Sequence, residues 1–146
     1  MGSENAKPVP GPHGEPVPHG FKDFDEFRAF AGRLQEALPS GTQPLMQGSA
    51  VTGRSYRTGQ PFDQNRRSDF DVALAGAALF NQARALGLKV KDSTRIGPLT
   101  DEYLDALGLL DVRDQLQQEV QRPVNFMLFD GLEAALKRPS IWMPIA

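Results

Sequence analysis

Apolar residues recur along this chain at two spacings, and those spacings mark its elements. In residues 21–41, Phe24, Phe27, Phe30, Ala31, Leu34 and Leu38 fall three or four apart, which predicts one buried helix face. Pro39 and Gly41 end that helix. Residues 43–47, QPLMQ, form a short apolar run broken by Gly48, consistent with a buried strand. Residues 68–76 alternate as a strand does: Phe70, Val72 and Leu74 point one way, Asp69, Asp71 and Ala73 the other. Residues 77–88 return to helical spacing, with Leu79, Phe80, Ala83 and Leu86 inward and closure near Gly87. A short strand at 89–92 and a loop at 93–100 follow, then a helix over 101–121 interrupted around Gly108. Residues 122–130, RPVNFMLFD, read as a second clear strand with Val124, Phe126 and Leu128 in the core. A last short helix spans 131–138. The tail 139–146 carries Ile141, Trp142, Met143 and Ile145, which would form an exposed apolar patch unless it packs back on the body. The chain has no internal repeat. This alternation predicts an α+β (mixed α/β) fold, a small mixed sheet flanked by helices.

Composition narrows the picture. With 146 residues, 40% of them hydrophobic, the chain suits one compact domain, placed at 21–146. Residues 1–20 hold four Gly and five Pro with almost no large apolar side chain, and are expected to be a disordered linker. Both histidines, His13 and His19, fall there and are expected to be solvated. The net charge of −2 gives no global basic field, so a contact with a phosphate-rich partner must be local. The absence of cysteine removes disulfides and thiolate metal sites. No apolar run reaches the ~18–20 residues of a membrane span, and no signal-peptide core opens the chain. A soluble chain is expected; export, if it occurs, must be arranged by something outside this sequence.

The candidate chemistry lies between residues 48 and 74, GSAVTGRSYRTGQPFDQNRRSDFDVAL. Asp69 and Asp71 share a strand face about 6.5–7 Å apart. Ionised carboxylates that close repel unless a cation lies between them, and Mg²⁺ is commonly held by one or two carboxylates plus substrate phosphates. Upstream, Gly48 lets backbone approach a phosphate closely, and Ser49 offers a hydroxyl and an N–H near a helix start. Residues 54–67 carry Arg54, Arg57, Arg66 and Arg67 against the single acid Asp63, a local basic patch in an acidic protein. Arginine's planar fork suits phosphate oxygens. Taken singly, an Asp-x-Asp, a Gly-Ser turn or an arginine-rich loop is ordinary; their order between two strands is more specific.

In that order the segment resembles the signature of the nucleotidyltransferase superfold, which includes polymerase-beta-like and minimal nucleotidyltransferases. Gly48, Ser49, Gly53, Ser68, Asp69 and Asp71 fall on its pattern of strand, Gly-Ser, a further Gly, and a Ser-Asp-x-Asp strand. The motif covers about 30 residues, and the helix–strand order extends the match over most of 21–138. The resemblance implies a nucleotidyltransferase-like fold in which the Gly-Ser turn holds a nucleoside triphosphate and Asp69 and Asp71 hold Mg²⁺ or Mn²⁺. Two departures stand out. The stretch between Gly53 and Asp69 is longer than in minimal members, which makes it an extended loop beside the site. The third acid that many members carry on a later strand corresponds here to Asn125, which cannot act as a carboxylate base. The acceptor is then activated differently, or Asp130 or Asp63 substitutes, or the protein is inactive.

The Pro/Gly-rich lead-in, HGFKDFDEF, the Gly-Ser/Asp-x-Asp segment and RPVNFMLF together resemble C-terminal toxin modules of bacterial polymorphic toxins, of the Rhs and contact-dependent inhibition type. That resemblance implies delivery to a target-cell cytoplasm and a cognate immunity protein. The leading expectation is Mg²⁺-dependent transfer of a nucleotidyl group from a nucleoside triphosphate to an RNA (tRNA) or protein acceptor. Catalytic Asp69, Asp71 and Asn125 would act with nucleotide-binding Gly48, Ser49, Gly53, Arg54 and Ser68. The alternatives are a non-catalytic nucleotide-binding or interaction module and a metal-dependent nuclease toxin using the same aspartates.

Overall fold

The computed structural model describes residues 9–55, 57–64 and 67–144. Its elements are α1 (Phe24–Ala37), β1 (Gln43–Gln47), α2 (Ser49–Thr52), β2 (Phe70–Ala75), α3 (Ala77–Ala85), β3 (Val90–Lys91), β4 (Arg95–Ile96), α4 (Asp101–Ala106), α5 (Leu110–Val120), β5 (Val124–Phe129), α6 (Leu132–Ala135) and β6 (Ile141–Trp142). The strands form one sheet in the order β3-β4-β5-β2-β1-β6. Only β2 and β5 run parallel; every other neighbouring pair is antiparallel, so the sheet is mixed. The fold is the α+β class that the alternating pattern predicts.

The two faces of the sheet are covered unequally. Phe70, Val72 and Leu74 of β2, with Val124, Phe126 and Leu128 of β5, join the stripes of α1, α3 and α5 in the main core. In α1 that stripe is Phe27, Phe30, Ala31 and Leu34, and its start is fixed by the Asp23 carboxylate, which accepts from the Glu26 N–H. The opposite face buries a small second cluster, Leu45, Ala73, Ala75, Phe129 and Ala135, beneath the single turn of α6. The helical pattern over 101–121 divides where expected: Gly108 adopts φ +76°, a left-handed conformation that suits glycine and separates α4 from α5.

Three details depart from the pattern. Leu86, expected inward, is 49% exposed. Helix α3 ends at Ala85, so Leu86 falls in the cap, and the left-handed turn at Gly87 swings Leu88 into the core instead. The expected loop 93–100 contains β4, which pairs with both β3 and β5. A two-residue strand has too few alternations to show a period, and its turn depends on positive φ at Asp92 and Ser93. The tail packs back as expected, with Met143 buried and β6 paired to β1, yet Trp142 stays half exposed at the sheet edge. Ile145 lies outside the described residues.

The lead-in is not a linker to its end. The His19 N–H donates to the Ala50 carbonyl at 2.7 Å, and Val17 packs against the core. Phe21 is buried and stacks on Phe70 with ring centroids 4.5 Å apart.

Candidate active site

The register of the three central strands builds the site. Gln47 of β1 pairs with Asp71 of β2, and Asp71 pairs with Asn125 of β5. Residues opposite one another on neighbouring strands share a face, so three polar side chains form a row across the sheet on the α6 side. Asp69 precedes β2 by one residue and joins the row through Asn125. The Asn125 Nδ2 donates to Asp69 Oδ2 at 3.0 Å and to Asp71 Oδ1 at 3.2 Å. Burial pushes the Asp71 carboxyl above its ordinary value. The Asn125 hydrogen bond works against that rise, the Asp69 charge adds to it, and Arg138 opposes it; the net shift is upward.

The Gly-Ser turn lies directly beside this row. Gly48 has φ +73°, and a Cβ there would collide with the Asp71 carboxylate and approach the Asp71 Cβ to 3.1 Å. Glycine is therefore required at 48 both by backbone conformation and by the aspartate packed against it. The helix α2 that follows is one turn of four residues, so the turn contributes mainly its backbone shape and little dipole. Gly48, Ser49, Thr52, Arg54, Asp71 and Asn125 line one cavity of about 810 Å³, within the range of small-molecule sites.

The remaining sequence candidates are placed elsewhere. Gly53, at φ +82°, closes α2, and a Cβ there would stand 3.2 Å from His19 Nε2; it does not line the cavity. Ser68 is occupied with Asp63: its N–H donates to Asp63 Oδ1 at 2.7 Å and its Oγ accepts from the Asp63 N–H at 2.9 Å. Arg57 and Arg67 are exposed and outside the cavity lining, and Arg66 lies outside the described residues. Neither proposed substitute acid reaches the cavity. Asp130 is exposed beyond the far end of β5, its N–H donating to the Thr94 carbonyl. Asp63 is bound by Arg122.

Arg122 carried no role in the sequence reading, yet it organises the approach to β2. Buried to 6% exposure, its guanidinium meets Asp63 through two bonds of 2.9 and 3.1 Å and donates to the Ser68 carbonyl at 2.9 Å. The rings of Phe62 and Phe70 each lie 4.9 Å from it. Burial alone would raise the Asp63 carboxyl; the Arg122 pair and the Ser68 N–H outweigh it and hold the carboxyl below its ordinary value. Within the described residues, the extended loop after Gly53 is closed by the Phe62 N–H on the Gly53 carbonyl and by a bridge between Arg54 and Pro61. The sequence signal for Arg122 is faint, a cation directly before Pro123 and a core strand, because its partner lies 59 positions away.

Three further cations line the cavity from the other end of the sequence: Arg95 on β4, and Lys137 and Arg138 just after α6. Arg95 lies on a two-residue strand too short to show a period, and Lys137 and Arg138 fall within the helix expected over 131–138, which ends at Ala135. The two carboxylates suit a hard divalent cation by their chemistry, since Asp69 and Asp71 each bring an oxygen within 3.2 Å of the same Asn125 Nδ2. Among the described residues no group of three or more His, Cys, Asp or Glu is gathered at one point, so any cation here would rest on two carboxylates.

Fold and site together define a mixed α+β domain in which Asp71 lines a cation-bearing cavity and Asp69 adjoins it through Asn125. No protein-family model, curated protein or solved structure matches the chain. Among the described residues no helix is long and apolar enough to cross a membrane.

Proposed function

We propose that the protein transfers a nucleotidyl group from a nucleoside triphosphate to a hydroxyl of an RNA (such as a tRNA end) or protein acceptor. The observation that carries this reading is the contact between the Gly-Ser turn and the acidic pair: Gly48 packs on Asp71 while Asn125 bridges Asp71 and Asp69. Asp69 and Asp71 would hold Mg²⁺ or Mn²⁺, which when bound neutralises phosphate charge and aligns the reacting oxygens. Gly48 and Ser49 bring backbone close to the phosphates, and Arg54 faces the same cavity. The acceptor oxygen forms a bond to the α-phosphorus, the bond to the bridging oxygen breaks, and pyrophosphate leaves. Asn125 positions the two carboxylates by donating to both; the acceptor's proton leaves to water, because an amide does not take it. In its setting we read the domain as the toxin module of a bacterial polymorphic toxin, acting in a target-cell cytoplasm and countered by a cognate immunity protein. The Pro/Gly-rich lead-in supports that setting.

One observation favours a second reading. The position where a third carboxylate would complete the site holds Asn125, whose amide already occupies one oxygen of each aspartate. A non-catalytic nucleotide-binding module would show this arrangement and bind triphosphate without turnover.

The test uses purified protein, Mg²⁺ and each α-labelled nucleoside triphosphate, with cellular RNA and protein as acceptors and Asp69→Asn as control. Label transferred by the wild type alone supports the transferase. Triphosphate binding that depends on Asp69 without transfer favours the second reading, and neither binding nor transfer removes both.

A further inference from the structure

The cavity's charge is opposite in sign to the protein's. The chain carries −2 overall, whereas the cavity lining holds Arg54, Arg95, Lys137 and Arg138 against the single carboxylate Asp71, with Asp69 adjoining. These cations are not equally available. Arg95 is paired with Asp92 at 3.1 Å, and Arg54 spends one donor on the Gly59 carbonyl at 2.9 Å. Lys137 and Arg138 are exposed and reach no acid within ion-pair distance among the described residues, although Arg138 lies 5.7 Å from the Phe129 ring centre and its charge acts on Asp71. Their backbone is nevertheless fixed. Buried Gln47 donates from Nε2 to the Ala135 carbonyl at 2.8 Å and to Ser140 Oγ at 3.0 Å, and Ser140 Oγ donates to the Arg138 carbonyl at 2.9 Å. Gln47 is also the residue before Gly48. One buried amide therefore ties the chain that enters the Gly-Ser turn to the chain that presents Lys137 and Arg138, so both sides of the cavity are held in register before any ligand arrives.

We infer that Lys137 and Arg138 form the phosphate-binding wall of this cavity, pre-positioned by Gln47, and that they hold a polyphosphate chain without a divalent cation. This rests on the reading of the cavity as a nucleoside triphosphate site and names the residues that take the phosphates. Of the arginines at 54–67, Arg57 and Arg67 lie outside the lining, and Arg54, which lines it, spends a donor on the Gly59 carbonyl. Guanidinium and ammonium donors bind phosphate oxygens by charge-assisted hydrogen bonds, and a backbone already held by Gln47 spares the cost of ordering the segment that carries them.

The experiment is calorimetric titration of the whole chain with inorganic tripolyphosphate in EDTA at two salt concentrations. The wild type is expected to bind, more weakly at the higher salt. Lys137→Gln with Arg138→Gln should weaken binding by about tenfold or more, the scale of losing charge-assisted bonds. Both residues are exposed, so the melting temperature should hold. Gln47→Leu should weaken binding although it removes no charge, and Arg57→Gln should leave it unchanged. Asp69→Asn should tighten metal-free binding by removing a neighbouring negative charge, even as it abolishes label transfer. No metal-free binding, or equal binding by the double variant, overturns the inference. Binding that depends on Lys137 and Arg138 with no label transfer upholds it and sinks the transferase reading instead.

Discussion

Asn125 decides what the acidic pair does when no cation is bound. Its Nδ2 is a hydrogen-bond donor to both carboxylates, so it relieves part of the repulsion that two close negative charges create. Asn125→Asp replaces that donor with a third negative charge. We expect it to destabilise the cation-free protein by about 1–3 kcal/mol, the scale of losing bonds to charged groups. Thermal melts in EDTA and in Mg²⁺ check this: a lower midpoint in EDTA, recovered by Mg²⁺, is the expected result. An unchanged midpoint in EDTA would mean the amide bridge contributes nothing to stability. At Gly48 the constraint is steric as well as conformational. Gly48→Ala places a methyl against Asp71 in a backbone region costing about 1–3 kcal/mol to hold, so both stability and transfer should fall. A fully active, equally stable variant would remove the close packing of the turn on Asp71.

At the scale of elements, the connection from α2 to β2 depends on a partner outside it. Arg122, just before β5, holds Asp63 and the Ser68 carbonyl between the rings of Phe62 and Phe70. Removing a buried partner leaves the other charge uncompensated, so Arg122→Ala should cost about 3 kcal/mol, tempered by the partial exposure of Asp63. The pair also sets a pH dependence. The folded Asp63 carboxyl lies below its ordinary value. Its contribution is therefore present above the unfolded pKa of about 3.9 and is lost as pH falls through the lower folded value. Urea midpoints from neutral pH downward should drop below about pH 4 in the wild type. In Asp63→Asn the midpoint should be lower at neutrality and should lack that part of the drop. Identical profiles for the two proteins would show that the pair does not contribute to the acid limb.

For the whole molecule, the boundary of the domain lies inside the lead-in. Val17, His19 and Phe21 join the body, and Phe21 packs with Phe27, Phe30 and Phe70. Removing residues 1–16 should leave the melting temperature unchanged. Removing 1–20 also deletes Val17 and the His19 N–H bond to the Ala50 carbonyl, a loss of about 1–3 kcal/mol, and should lower the midpoint by several degrees. Equal midpoints for the two truncations would return the whole lead-in to the status of a linker. Composition alone hides this boundary: five prolines and four glycines describe residues 1–20 as a whole, while the packing of the last few is set by Ala50, Phe62 and Phe70.

The sequence by itself determined the elements long enough to show a period, α1, β2, α3, the divided helix α4–α5 and β5, together with β1 as a short apolar run ended by Gly48. It also determined that Asp69 and Asp71 share a face, because side-chain direction along a strand is a local property. Which strands neighbour one another, and in what register, is not local. Tertiary structure alone decided that Asn125 meets both aspartates, that Gln47 joins their row, and that Gly48 abuts Asp71. It alone brought Arg95, Lys137 and Arg138 to the cavity and took Asp63 away to Arg122. The physical reason is the same in each case. Hydrophobic periodicity fixes which face of an element is buried, whereas ion pairs and cavity walls form between residues whose separation along the chain leaves no repeating trace.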